Sequence, residues 1–108
     1  MAEILVLAEH VGDDVKKVTL ELITLARRFG EPSVVWTGPG AEAGQARCAE
    51  YGAARMYVAD GTDFDDYVTA PAAELLAQLV GEKSPALVLV AGTAQGKEVA
   101  GRLAVKID

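Results

Sequence analysis

Four short apolar runs, ILVLA (4–8), SVVWT (33–37), RMYVA (55–59) and ALVLV (86–90), set the architecture of this chain. None alternates strictly between apolar and polar residues. A strand with one wet face alternates, whereas a continuous run suits a strand covered on both faces, as in parallel sheets. Parallel neighbours need a crossover connection, and helical patterns fill the gaps between the runs. The runs start 29, 22 and 31 residues apart, spacings that accommodate strand–helix units. The expected fold class is α/β over residues 1–108: a single open, doubly wound (Rossmann-like), mostly parallel sheet flanked by helices. The sequence stops in or just after a fourth helix, at GRLAVKID, so the sheet reads as truncated after the fourth strand–helix unit. An uncovered sheet edge would then pair with another copy, which predicts self-association.

The longest helical pattern is DDVKKVTLELITLARRFG, with Val15, Val18, Leu22, Leu25, Ala26 and Phe29 forming one stripe. Asp13 or Asp14 is expected to cap it, Gly30 to take the left-handed position beyond its end, and Pro32 to block its continuation. A second helix covers EAGQARCAEYG. A third follows TAPAAELLAQLVGEKS, with Pro71 in its first turn, Leu75, Leu76, Leu79 and Val80 inward, and Gly81, Ser84 and Pro85 ending it. A fourth begins near Gly96 and turns Val99, Leu103 and Ala104 inward.

The formal net charge of −6 argues against nucleic-acid binding, which depends on neutralising phosphates with Lys and Arg. No apolar run approaches the roughly 20 residues needed to cross a membrane. MAEILVLAEH lacks a basic segment before its apolar run and reads as a first strand, not a signal peptide. A single cysteine, Cys48, fits a reducing compartment, so a cytoplasmic location is expected. No internal repeat or interdomain linker is visible.

Ligands of open α/β sheets bind beyond the carboxyl ends of the strands. The residues placed there are Glu9 and His10 after the first run, and Gly92, Thr93, Gln95 and Gly96 after the fourth. GTAQGKE resembles a phosphate loop, but Ala91 stands where the first glycine belongs and Glu98 where the Ser/Thr hydroxyl belongs. GPGAEAG (38–44) follows the second strand and lacks the dinucleotide spacing, so it reads as a flexible loop. Asp60, Asp63, Asp65 and Asp66 lack the alternation of a calcium loop and read as a solvated turn. No metal pair is available to the lone His10, whose expected role is loop packing. Glu9, Asp60 and Thr93 resemble the acidic, phosphoacceptor and hydroxyl residues of response-regulator receivers, without the lysine those receivers need after a fifth strand. A small nucleotide-binding domain of the universal-stress type is the other alternative. No catalytic residue is assigned.

Taken in order, ILVLAEH, LARRFGEPSVVW, AEYGAARMYVAD and LVLVAGTAQGKEVAGRLA resemble the N-terminal domain of the electron transfer flavoprotein alpha subunit over essentially the whole chain. The resemblance implies a complete protein in which alpha and beta subunits form a heterodimer around one FAD. That flavin takes electrons from acyl-CoA and related dehydrogenases, as in fatty acid beta-oxidation, and passes them toward the respiratory quinone pool. It also implies that FAD lies chiefly against a C-terminal alpha domain absent from this sequence. None of these residues is therefore assigned to the flavin, no cofactor is expected on this segment, and its expected role is scaffold and subunit packing.

Overall fold

A computed structural model describes residues 2–11, 14–38, 40–59 and 70–92, together with Lys97 and Ala100. Strand β1 (Glu3–Leu7) is the central one, with Ile4, Leu5 and Val6 fully buried. It pairs in parallel with β4 (Glu31–Thr37) on one side and β6 (Leu87–Leu89) on the other, and β5 (Arg55–Ala59) pairs in parallel with β4. The strand order is β5–β4–β1–β6. Successive residues point to opposite faces, so Ile4, Val6, Val34 and Trp36 meet α1 (Lys17–Ala26) and α2 (Ala41–Glu50). Leu5, Leu7 and Val35 instead meet Leu76 and Leu79 of α3 (Ala70–Lys83). Both faces of β1 and β4 are covered, so their runs are continuous rather than alternating, whereas Val58 on β5 and Leu87 on β6 stay exposed. Each fully buried aliphatic side chain contributes about 1.5–3 kcal/mol.

The first helix departs from expectation at both ends. Asp14–Val15 is a short strand, β3, paired antiparallel with β2 (His10–Val11), and α1 begins only at Lys17, with Lys16 at its N-cap and no side-chain cap. Asp14 therefore does not cap it; Asp13 lies outside the described residues. The buried residues of α1 are Thr19, Leu20, Ile23 and Ala26, whereas Leu25 is 39% and Phe29 55% exposed. The cause is Thr19. Its hydroxyl accepts from the Glu9 backbone N–H (2.8 Å) and donates to the Glu9 carbonyl (3.1 Å), so this hydrogen-bond pair turns α1 about one residue from the apolar stripe. Val15 still reaches the core, from β3.

Glycine roles differ from expectation as well. Gly30 is not left-handed; a side chain there would place its Cβ 2.1 Å from the Ala2 carbonyl oxygen, which accepts the Glu31 N–H at 2.8 Å. Pro32 lies inside β4, where β5 has not yet begun; its carbonyl accepts from Ala54. Gly81 sits within α3, which runs on to Lys83, and Ser84 takes the left-handed conformation (φ 48°) that ends it. GPGAEAG is not merely a flexible loop: Gly38 and Gly40 adopt positive φ, and Gly44 lies in α2 against the Trp36 indole. Pro39 lies outside the described residues, as does all but Lys97 and Ala100 of the fourth helix. Cys48 is free and fully buried, and burial pushes its thiol up to about 11.

At the amino ends of the strands a polar cluster ties three of them together. Glu3 Oε2 accepts from Ser33 Oγ (2.6 Å), Tyr57 Oη (2.6 Å) and Arg55 Nη1 (3.2 Å), and Arg55 Nη2 reaches Glu31 Oε1 at 3.4 Å. Burial alone would raise the Glu3 carboxyl, but the hydrogen bonds from Ser33, Tyr57 and Arg55 together hold it below its ordinary value.

Two predictions follow from these contacts. Gly81→Ala, whose new methyl meets nothing within 4 Å, is expected to stabilise the chain by about 0.5–1 kcal/mol. Gly44→Ala, whose Cβ would stand 2.2 Å from Trp36 Cη2, is expected to destabilise it by about 1–3 kcal/mol. Urea unfolding of both variants checks the pair, and equal effects would contradict it. For Glu3, a depressed folded-state pKa contributes stability that is complete above the ordinary carboxyl value of 4.5 and is lost as pH falls through the lower folded value. Unfolding midpoints measured across that acidic range should show a flatter decline in Glu3→Gln than in the native chain.

Candidate functional site

Strand order reverses at β1. The chain runs outward from β1 through β4 to β5, then returns through α3 to place β6 on the other flank. In folds of this class the ligand crevice lies beyond the carboxyl ends of the strands at such a reversal, here β1 and β6. The register Val6↔Leu89 brings both strands out of the sheet side by side, and Ala8 and Ala91, two residues on, are both buried.

Glu9 stands at this crevice with its side chain only 3% exposed and a carboxylate oxygen 3.8 Å from Lys16 Nζ. Its backbone is fully used: the N–H goes to Thr19, and the carbonyl accepts from both Thr19 Oγ1 and the Lys16 N–H (3.0 Å). Gly92 lies on the β6 side, exposed, with no atom of the described residues within 4 Å of where a Cβ would be. Thr93, Gln95 and Gly96 lie outside the described residues, as do Asp60, Asp63, Asp65, Asp66 and Glu98.

His10 is placed on the β4 side instead. Its ring stacks on Trp36 with centroids 3.8 Å apart and planes 15° off parallel. Its Nε2 lies 2.7 Å from the Thr37 carbonyl oxygen. A carbonyl only accepts, so Nε2 carries the proton and donates. His10 thus clamps the β2–β3 ladder to the end of β4, over an indole that Gly44 supports from α2. Residue-type reasoning missed Thr19, Trp36 and Gly44 as builders of this edge. The available signals were a threonine in an otherwise apolar helical segment and a glycine within a helix.

A dinucleotide at such a crevice needs a glycine turn with open backbone N–H groups leading straight into a helix N-terminus. Here nine residues (8–16) separate β1 from α1, the Glu9 N–H is occupied, and a buried carboxylate stands where pyrophosphate would approach. The described residues do not fit the FAD pyrophosphate. Among them, no group of three or more His, Cys, Asp or Glu is arranged to hold a metal ion.

The sequence model of the electron transfer flavoprotein domain matches residues 4–108. The electron transfer flavoprotein subunit alpha of Mycobacterium tuberculosis (strain H37Rv) is 50% identical over 109 residues, spanning 99% of this chain and 34% of the relative. That of Mycobacterium leprae (strain TN) is 48% identical over the same shares. That of Syntrophomonas wolfei is 34% identical, spanning 100% of this chain and 34% of the relative. The chain thus spans about a third of the length of these relatives. On this ordered agreement along its whole length, and on a parallel doubly wound sheet, the chain belongs to the electron transfer flavoprotein domain family.

Proposed function

We propose that this chain is the N-terminal scaffold and subunit-packing domain of an electron transfer flavoprotein alpha subunit. In the complete protein it packs against a beta subunit, and the heterodimer holds FAD in a separate C-terminal alpha domain. That flavin carries electrons from acyl-CoA and related dehydrogenases toward the respiratory quinone pool, in the cytoplasm. The chain is a carrier component, not an enzyme. The match to alpha-subunit relatives over 99% of its length supports the family role. The observation that carries the division of labour is the buried Glu9 carboxylate, with its occupied backbone, at the crevice where a cofactor phosphate would have to sit. Its place is structural: it carries the framework on which a flavin domain and a second subunit are assembled.

Flavin content tests this reading. The 108-residue chain, expressed with excess FAD and shown by circular dichroism to be folded, is expected to purify without stoichiometric flavin. The complete alpha–beta pair is expected to carry one. A folded chain that emerges yellow, with one flavin per molecule, would overturn the assignment.

A further inference from the structure

The hydrogen bonds that turn Thr19 inward leave apolar residues on the outside of α1. Leu25 and Phe29 are exposed, with Val18 and Leu22 half-buried beside them, at spacings of four, three and four. Next to this stripe, and sharing Leu25 with it, runs a groove of about 400 Å³. Lys17, Leu20, Glu21, Thr24, Leu25 and Arg28 line it along α1, and Tyr51 forms its opposite wall. The floor is apolar and the ends are cationic.

The charge around the groove runs against the charge of the chain. Net charge is −6, yet Lys17, Arg27 and Arg28 cluster here against Glu21, and none of these four forms an ion pair among the described residues. Arg27 lies across Gly52, beside Tyr51, and Arg47 stands 5.1 Å from the Tyr51 ring centroid while pairing with Glu50. Unpaired cations flanking an apolar trough favour an occupant with anionic flanks and an apolar centre.

We infer that this groove docks an amphipathic helix of a partner protein, its apolar face on Leu20 and Leu25 and its acidic residues facing Lys17 and Arg28. Lys17, Glu21 and Arg28 follow one another at spacings of four and seven. The matching stripe on an antiparallel helix is acid, base, acid at spacings of seven and four. A second copy of this chain satisfies only part of the pattern. Antiparallel pairing of two α1 faces can set Glu21 against Arg28 or against Lys17, and either register leaves the remaining cation without its opposite charge. An acid–base–acid partner satisfies all three. The inference rests on the α1 surface alone and does not depend on where flavin binds.

The probe is a fluorescein-labelled Ala/Leu helix of about 18 residues, five turns, with Glu, Lys and Glu along one flank at spacings of seven and four. Its control carries the inverted signs. Fluorescence anisotropy with the full chain is expected to show the Glu-Lys-Glu peptide binding about tenfold more tightly than the control. The double variant Lys17→Glu/Arg28→Glu is expected to reverse that preference, and Leu25→Ser to weaken binding of the favoured peptide. All three positions are on the surface, and an unchanged Trp36 emission verifies that the fold is retained. No binding of either peptide, equal binding of both, or a preference that survives the double variant would overturn the inference. So would sedimentation showing a dimer that Leu25→Ser abolishes, which would make the occupant a second copy.

Discussion

The Thr19 hydroxyl satisfies both backbone polar groups of Glu9, and much of the molecule follows from that one contact. It joins the turn leaving the central strand to the first buried position of α1. The buried Glu9 N–H, which would otherwise cost about 1–3 kcal/mol, is thereby paired, and the carbonyl is shared with the Lys16 N–H. The same contact decides which face of α1 meets the sheet: Leu20, Ile23 and Ala26 go inward with Thr19, and Leu25 goes outward. The Glu9 side chain lies beneath the surface near Lys16, at the edge of the sheet where this fold class usually takes a ligand.

The two ends of the sheet are secured by different physics. At the amino ends, Glu3 gathers donors from β4 and β5, a charge-assisted cluster sensitive to acid. At the carboxyl ends, the His10 ring, the Trp36 indole and the bare Cα of Gly44 interlock, and the Thr37 carbonyl orients the imidazole. The β2–β3 ladder, too short to be stable alone, is held by this clamp and by Val15 in the core. Both devices are structural.

Much of the fold was legible because burial on two faces leaves an unmistakable mark. The runs at β1, β4, β5 and β6 are found as strands, and the inward positions of α3 agree with the observed burial of Leu76 and Leu79. Hydropathy misplaced the face of α1 because it counts Thr19 as polar and Phe29 as apolar, while the decisive term is a hydrogen bond to a residue ten positions earlier. Gly30 and Gly81 were misread for a related reason. Close approach to Ala2 and an open solvent face are tertiary facts that look identical in sequence. The location of the crevice could be derived from topology, but the burial of Glu9 within it could not, since nothing local distinguishes it from any carboxylate in a loop.

The interlocked strand ends tie the sheet to α2 and to the β2–β3 ladder. The account stands or falls on the Thr19 hydroxyl. Amide hydrogen exchange at Glu9, followed together with urea unfolding in Thr19→Val and Thr19→Ser, tests it most directly. If the hydroxyl sets the phase of α1, valine abolishes protection of the Glu9 N–H and lowers stability by about 1–3 kcal/mol, while serine retains most of both. If apolar burial sets it, valine at this fully buried position leaves Glu9 protected and the chain as stable or more so, and the account fails.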